Sequence, residues 1–515
     1  MKTFNIKNIG TALLLAATVT SSSCNKFLDE TDPSNLTEET YFTLPGHADA
    51  AIAAAYAQTR FIGNGAGIFV QNFSLPEMLS GMARTETGQN SDLNNIVGLS
   101  YNGDNLLITQ WWTGLYSVIA QANLVLKRVP EINPMDETAK KRVLAQAQFL
   151  RAWAYFYLVQ MWGDVPLIIE PVESFASENL FPGRTPAAQV YDQIVADLIA
   201  AEGGSLPWTD NSGRASMGAV KGLLAKVYLT MAGFPMSKGA THYKLAADKA
   251  NEVITNGSYK LFATYNELHS YATENRDEHM FMIQYLGGVA DNPFQGQIVP
   301  NFKDISSLGT EVGSNVPVPN FVATYEAGDE RTKDRVGMYY TSYYTEGYLN
   351  PLKPLGNPYI YKHFDVISNG TLGAKGTNVS SLNYPLMRYA EILLIYAEAQ
   401  NEVDAAPSAA AWNAYKQIRD RAKLVTPAAG TFTKATFRDA VLRERWWELA
   451  FECITWYDML RTRKAFNVTT KTFEPLVGHK FPDNGAQVQE KHLLLPLPTN
   501  EMKNNPNLTP NNPGY

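Results

Sequence analysis

The chain has 515 residues, of which 45% are hydrophobic, 11% aromatic and 18% charged, and its formal net charge is −7. This composition is typical of a globular protein that is long enough to bury a large core. The acidic balance and the lack of a Lys/Arg-rich stripe argue against nucleic acid as a partner, because a phosphate backbone requires clustered cations.

The N-terminus has the organisation of an export signal. A positively charged start precedes an apolar segment at 9–19, which is as long as a signal h-region and shorter than the ~20 apolar residues that span a bilayer. Small residues precede Cys24, and the other cysteine, Cys453, lies in an apolar stretch that predicts a buried core residue. We therefore predict a lipoprotein signal peptide over 1–23 and a lipidated Cys24 with its tether over 24–40. A secreted protein cut near Cys24 is the alternative.

Apolar residues at helical spacing predict a mostly α-helical chain. Gly163, with Pro166 soon after, predicts the end of one helix. Three stretches resemble one another (AYFYL, AKVYL and LLIYA), and the first two are separated by about twice the tetratricopeptide period, which predicts stacked helical hairpins. The predicted helices are 47–60, 109–129, 136–162, 186–202, 216–232, 242–256, 386–403, 409–423 and 433–463.

Two long segments lack this periodicity and are rich in Gly, Asn and Pro. The second is too long for an uninterrupted loop in a compact chain, so it is either functional or contains short strands. We predict a single domain over 41–515, with a helical scaffold over about 41–60, 109–260 and 386–465, irregular ligand-side segments over about 61–105 and 261–385, and a C-terminal tail over 466–515.

No catalytic or metal-binding pattern is present in the sequence. Gly-x-Ser-x-Gly and His-Glu-x-x-His do not occur, and the seven histidines are scattered. A pair of glycosidase carboxylates among the fifty Asp and Glu residues remains open. We predict a protein that is not an enzyme and that has no cofactor and no catalytic metal.

The charge-rich stretch near 443–461 is predicted to lie in a scaffold helix. Arg445 and Glu448 are three residues apart, and so are Asp458 and Arg461. This spacing predicts ion pairs along one helix.

Six segments of the chain occur in a distinctive order. They are SCNKFLDETDPSNLT, RAWAYFYLVQMWGDVPLI, RTPAAQVYDQIVADL, PLMRYAEILLIYAEAQNEV, RERWWELAFE…WYDMLRTR and LLLPLPTNEMKNNPNLTPNNPGY. Together they resemble the SusD/RagB family of Bacteroidetes outer-membrane lipoproteins, from Cys24 to Tyr515. The chain departs from the family at Cys453-Ile454, where Gly and a polar residue are frequent, and at Trp446-Trp447, where basic residues are common.

The resemblance implies a single helical domain built on tetratricopeptide-like hairpins, with the irregular segments opposite the scaffold. It implies a lipoprotein anchored in the outer membrane and facing the cell exterior. Such proteins bind oligosaccharide or polysaccharide and act as the lid of a SusC-like TonB-dependent transporter. Two alternatives remain: a peptide-binding RagB-like lipoprotein with the same lid role, and a structural adaptor without a ligand of its own.

The irregular segments supply the candidate ligand-binding residues. Aromatic rings stack on the apolar faces of a sugar, and polar side chains satisfy its hydroxyl groups. In the family, ligand residues come largely from two stretches, one before the WxxxY helix and one mid-chain. The asparagines have an alternative role as turn caps, and YYTSYY is alternatively a strand with alternate rings buried. The candidates are Asn64, Asn72, Arg84, Glu86, Asn90, Asn94 and Asn95 in the first segment, and Tyr285, Phe294, Tyr339, Tyr340, Tyr343, Tyr344 and Tyr348 in the second.

Overall fold

The computed structural model describes residues 41–65, 71–172, 180–301, 303–305, 311–345, 352–370 and 379–515. The signal peptide, Cys24 and the tether fall outside these ranges, and so does Tyr348. None of the helices in the described part of the chain is long and apolar enough to cross a membrane. The helices of eight or more residues in these ranges are α1 (Pro45–Gln58), α2 (Leu106–Arg128), α3 (Glu137–Trp162), α4 (Ala187–Glu202), α5 (Met217–Ala232), α6 (Ala240–Asn256), α7 (Tyr389–Val403), α8 (Ala409–Arg421), α9 (Lys434–Glu448) and α10 (Thr455–Thr462).

The long helices form the scaffold and pack against their neighbours in chain order. α2 packs on α3 and α3 on α4, while α5 packs on α6, α6 on α7, and α7 on α8 and α9. Small residues permit close approach: a methyl group at Gly222 of α5 would lie 2.9 Å from Cδ1 of Ile392 in α7. The predicted fold, mostly α and built on tetratricopeptide-like hairpins, is confirmed.

Local signals set the ends of these helices. Asn105 caps α2 and Asp136 caps α3, and each side chain accepts a hydrogen bond from a backbone N–H of the first turn. Gly163 follows α3 with a φ of 71°, which glycine adopts without a steric penalty. Its N–H donates to the carbonyl of Val159 at 3.0 Å, so the predicted helix end is confirmed.

The prediction of one helix over 433–463 is wrong, because the chain breaks between α9 and α10. Phe451 has a φ of 62° and Cys453 a φ of 54°, which are left-handed conformations that end a right-handed helix. Cys453 is a position at which the family often has Gly, the residue that tolerates this conformation best. Its side chain is buried, as the sequence predicts. Its N–H donates to Glu77 at 2.6 Å, and burial raises the pKa of that carboxyl to about 7.

The described ranges also contain eight short strands in four antiparallel pairs. The second irregular segment therefore contains short strands, one of the two options that the sequence left open. Residues expected at the start of helix 386–403 belong to β6, and α7 begins at Tyr389. The pairs are β1 (Ala83–Arg84) with β3 (Val316–Pro317), β2 (His279–Ile283) with β6 (Tyr384–Arg388), β4 (Tyr339–Tyr343) with β5 (Lys353–Ile360), and β7 (Lys464–Asn467) with β8 (Thr472–Pro475).

The described parts of 60–105 and 261–388 form one layer on the scaffold, which we call the loop layer. The C-terminal tail packs against the end of α3 and against the 81–103 part of the loop layer, where the Thr499 N–H donates to the carbonyl of Gly103 at 2.8 Å. Trp162 donates from its indole to the carbonyl of Pro496 at 2.9 Å, and Asn512 donates to the carbonyl of Trp162 at 3.0 Å.

The described ranges also contain short α-helices of four to seven residues. They are Ser74–Leu79, Ser91–Val97, Gln295–Ile298, Pro319–Val322, Val366–Asn369 and Thr499–Asn504.

A buried charge network joins the loop layer to the scaffold. Its side chains come from α8, α9, the break after α9, the turn at 329–332, and loop-layer segments around β2, β5 and β6. Each of them exposes at most 3% of its surface. Its members are Arg331, Lys362, Arg388, Arg419, Arg421, Glu278, Asp329, Glu444, Glu448 and Glu452.

Arg388, at the end of β6, lies at the centre of the network. Its guanidinium donates to Glu452 at 2.6 and 2.9 Å, to Glu448 at 3.2 Å, and to Glu278. Arg421 bonds to the same Glu448 at 2.6 Å. Burial raises the pKa of Glu452, but Arg388 and Lys362 outweigh burial and hold it at about 2. The carboxylates of the network are therefore paired with cations from both layers.

The predicted ion pairs of the 443–461 stretch are correct only in part. Asp458 and Arg461 pair at 2.8 Å as expected. Arg445 pairs instead with Asp458, at 2.7 Å across the helix break, and Glu448 belongs to the buried charge network. All four side chains are buried, and Glu448 and Arg461 also pair with residues outside the stretch, Arg421 and Glu398.

Replacing Arg388 tests whether the network holds the two layers together. We expect Arg388→Met to lower the free energy of unfolding by about 3–5 kcal/mol, because three carboxylates would lose a shared buried cation. Arg388→Lys keeps the charge but lacks the forked guanidinium that bonds two carboxylates. It should therefore lower the free energy of unfolding by less than Arg388→Met does.

Lys416→Met is the matched control for this measurement. Lys416 forms an exposed i,i+4 pair with Asp420, and such pairs contribute about 0.3–0.5 kcal/mol. Urea unfolding followed by tryptophan fluorescence compares the variants. Equal losses for Arg388→Met and Lys416→Met would contradict the role of the network.

Candidate functional site

Four residues of the loop layer form what we call the polar patch: Arg84, Glu86, Asn301 and Tyr359. Arg84 ends β1 and donates to Glu86 at 3.1 Å. The Tyr359 hydroxyl, from β5, donates to Glu86 at 2.9 Å, and the Asn301 backbone N–H donates to it at 3.1 Å. Arg84 and Glu86 keep 18% and 16% of their side-chain surface exposed. The patch therefore offers a charged donor and a charged acceptor side by side, both held in place.

Buried aromatic rings pack against Tyr359 of the polar patch. The Tyr359 ring lies 5.6 Å from that of Tyr340, which in turn contacts Tyr343 at 5.9 Å and Phe364 at 5.1 Å. Burial, and secondarily Glu86, raise the pKa of Tyr359, so its hydroxyl remains a hydrogen-bond donor. The two predicted segments, 61–105 and 261–385, thus meet at Glu86 and Tyr359.

A second feature of the loop layer, which we call the apolar rim, consists of Leu286, Val289, Ile367 and Val379. Leu286 and Val289 lie on a turn that is closed by hydrogen bonds between Leu286 and Ala290, and they are 57% and 81% exposed. Ile367 and Val379 are also more than one-third exposed. The short helix Gln295–Ile298 connects the two features. The Asp365 N–H, next to the rim, donates to the Gln295 side chain at 2.8 Å, and the Tyr340 hydroxyl, whose ring contacts Tyr359, donates to the Ile298 carbonyl at 3.5 Å.

A single carboxylate holds the segments of the apolar rim together. Asp365 accepts hydrogen bonds from the hydroxyls of Tyr271 at 2.5 Å, Ser368 at 2.6 Å and Ser380 at 2.6 Å. Nearby, Glu274 accepts hydrogen bonds from the backbone and side-chain amides of Asn383, and burial raises the pKa of Glu274 to about 7. These bonds fix the apolar side chains at the surface although little packs over them.

Most of the aromatic candidates predicted from the sequence are buried, and Tyr344 is half-buried. Phe294 stacks on Tyr384 at 4.6 Å, and Tyr340 has no exposed surface. Residues 339–343 form β4, as the strand alternative for YYTSYY predicts, but Tyr339, Tyr340 and Tyr343 are all buried and the rings do not alternate. Tyr285 is also buried, and its hydroxyl has no hydrogen-bond partner among the described residues. These buried rings form the interior of the loop layer and expose little surface to a sugar.

Some asparagine candidates form hydrogen bonds to the backbone of the loop layer, and others lie at its surface. Asn72 is buried, and its amide donates to the carbonyl of Phe61 at 2.7 Å. Asn90 caps the helix Ser91–Val97, and Asn94 donates to the carbonyl of Gly88 at 3.0 Å, as the capping alternative predicts. Asn64 is exposed at the edge of the layer. Of the polar candidates, Arg84 and Glu86 are brought together and the asparagines are not.

Several surface residues of the layer were not predicted. Tyr359 and Asn301 carry no distinguishing pattern in the sequence, because their partner Glu86 lies more than two hundred residues away. The turn at Leu286 to Ala290 has a recognisable signal in its two glycines, of which Gly288 has a φ of 80°. Among the described residues, no cluster of three or more His, Cys, Asp or Glu side chains is placed to hold a metal ion.

Comparison with known proteins gives consistent matches along the chain. A family model described as "SusD family" matches residues 307–515, and one described as "Starch-binding associating with outer membrane" matches 26–229. "SusD-like protein P2" of Formosa agariphila is 30% identical over 522 residues, which cover 95% of this chain and 96% of that protein.

Solved structures agree with these matches. A SusD superfamily protein from Parabacteroides distasonis is 32% identical, with a TM-score of 0.85 over 93% of this chain and 100% of that one. A structure described as "Laminarin binding SusD-like protein" is 25% identical, with a TM-score of 0.71 over 91% of this chain and 99% of that one. The chain belongs to the SusD/RagB family.

Proposed function

We propose that this protein is a glycan-binding lipoprotein of the outer membrane, and that its loop layer is the binding surface. The observation that carries the proposal is the polar patch beside the apolar rim on one layer. Glycan sites combine apolar surface with a few fixed polar groups. The description of the matched family, starch binding with outer-membrane association, and the laminarin-binding relative support this function.

The chemistry of the polar patch suits hydroxyl groups. Arg84 offers N–H donors from a guanidinium that is partly exposed. Glu86 offers carboxylate oxygens, and hydrogen bonds to charged groups contribute about 1.5–3 kcal/mol each. Pre-positioned partners reduce the entropy that is lost on binding. The patch contains one carboxylate, whereas hydrolysis of a glycosidic bond requires two. We therefore propose non-covalent capture without catalysis.

The position of the protein is a further part of the proposal. A lipid anchor at Cys24, on the tether 24–40, would hold the domain on the outer face of the membrane. Tethering raises the effective concentration of the domain over a SusC-like TonB-dependent transporter. In that arrangement the protein acts as the lid that captures oligosaccharide or polysaccharide and delivers it. The family relationship and the export signal of the sequence support this arrangement.

Substitutions in the polar patch test the binding surface. We expect Arg84→Ala and Glu86→Gln each to lower the affinity for a bound glucan at least tenfold, or about 1.4 kcal/mol, because each removes a charged hydrogen-bonding group. Calorimetry with laminarin oligosaccharides, followed by a panel of neutral glucans, gives the affinities.

Arg214→Ala is the control for these variants, since Arg214 forms an exposed pair with Asp49 on the scaffold. Its affinity should equal that of the unchanged protein. If Arg84→Ala and Glu86→Gln also bind with unchanged affinity, the polar patch is not the site. If the unchanged protein binds no glycan of the panel, the proposed function is wrong.

Replacement of Cys24 tests the anchor. We expect the full chain, produced in a Bacteroidetes host, to incorporate labelled palmitate and to fractionate with the outer membrane. Cys24→Ala should lose the label and leave the membrane fraction, because the sulfur is the acylated atom. Cys453→Ala is the matched control and should keep the label. A labelled Cys24→Ala protein would contradict the assignment.

A further inference from the structure

A large cavity lies on the scaffold, away from the loop layer. It has a volume of about 1250 Å³ and is bounded by the end of α3, the start of α4, the 230–236 segment after α5, α10, and the C-terminal tail at 490–514. We call it the tail groove. Small-molecule sites usually measure about 300–1,000 Å³, so the groove has room for an extended segment. No residue of the loop layer lines it.

The wall of the tail groove is largely aliphatic. Met236, Leu493 and Leu494 line it, and Phe234 stands at its edge with 48% of its surface exposed. Tyr191, from α4, also lines the groove. Its hydroxyl is buried and has no hydrogen-bond partner among the described residues. An exposed phenyl ring beside methionine and leucine is unusual for a surface that faces only water.

Two cations of the tail groove, Arg463 and Lys491, form no salt bridge with a described carboxylate. The Arg463 guanidinium lies 5.4 Å from the centre of the Phe234 ring, and it forms neither an ion pair nor a side-chain hydrogen bond with any described residue. Lys491 lies over the ring of Tyr515 at 5.3 Å and is likewise without an ion pair in the described ranges. Arg461, two residues before Arg463, also lines the groove but pairs with Glu398 and Asp458.

A third cation of the groove, Arg184, directs its hydrogen bonds to neutral groups. It donates to the carbonyls of Asp164 and Pro510 and to the side-chain oxygen of Asn512. The carboxylates of Asp164 and Glu490 also line the groove and act electrostatically on Arg184 and Arg463, but no salt bridge joins them. Cations therefore exceed carboxylates among these unbridged side chains, three to two, in a chain of net charge −7.

We propose that the tail groove binds an extended segment of a partner protein in which a carboxylate lies next to apolar side chains. Arg463 and Lys491 have donors that no described carboxylate accepts, and a carboxylate of the partner would satisfy them. A guanidinium stacked on a ring is pre-organised for that contact. The aliphatic wall matches leucine or phenylalanine side chains, and an aromatic or aliphatic anchor beside a charge is typical of protein interfaces.

A sugar acid is the competing ligand, and the groove suits it less well. Sugars stack on aromatic faces, and the groove exposes one such ring, Phe234, among aliphatic side chains. A sugar acid also lacks the leucine or phenylalanine side chains that would contact Met236, Leu493 and Leu494.

Two matched peptides test the proposal. The first is a fluorescein-labelled heptapeptide that alternates leucine or phenylalanine with aspartate, and the second has asparagine in place of each aspartate. We expect fluorescence anisotropy with the lipidated chain in detergent to show at least tenfold tighter binding of the acidic peptide. Arg463→Gln and Phe234→Ser should each weaken that binding at least tenfold. Lys260→Gln removes an exposed charge outside the groove and should change nothing.

Three results would overturn the proposal. The first is equal binding of the two peptides, or no binding of the acidic one at about 1 mM, which corresponds to about −4 kcal/mol. The second is unchanged binding by Arg463→Gln. The third is displacement of the peptide by oligogalacturonate, which would assign the groove to acidic sugars. The test is independent of the loop layer: Arg463→Gln should keep its glucan affinity, and Arg84→Ala should keep its peptide affinity.

Discussion

The buried charge network is the constraint on which the rest of the structure depends. A buried charge is costly unless it is paired and hydrogen-bonded, so its ten side chains are stable only when both layers are in place. Arg388 reaches three carboxylates, and Arg421 packs over the ring of Tyr265 at 4.7 Å. The loop layer has few long helices and strands of its own, and the network fixes it on α8 and α9. The polar patch and the apolar rim therefore rest on a rigid base.

The helical scaffold could be predicted from the sequence because its signals are local. Apolar periodicity, caps such as Asp136 and the glycine after α3 lie within a few residues of the structure they specify. The break between α9 and α10 was missed because its cause is not local. Cys453 takes a left-handed φ within a tertiary environment that includes Glu77, and no residue type in the stretch indicates a helix end.

The candidate site was predictable by segment but not by residue. The two irregular segments do meet, and Arg84 and Glu86 lie where they meet. Aromatic residues in an irregular stretch suggested a binding surface, but short strands bury Tyr339, Tyr340 and Tyr343. Burial in a strand depends on the register of its pair, which sequence alone does not fix here. The ion pairs of the 443–461 stretch were predicted only in part for a related reason, since Arg445 and Glu448 find partners beyond the i,i+3 spacing.

The loop layer and the tail groove are separate surfaces, and we propose that the first binds glycan and the second binds a partner protein. Hydrogen–deuterium exchange with a bound glucan oligosaccharide tests the central claim, that the loop layer is the glycan-binding surface. Ligand should slow exchange in 83–87, 285–292 and 355–361, and leave 228–236 and 457–463 unchanged. Slower exchange confined to the scaffold or to the tail groove, with the loop layer unaffected, would contradict the claim.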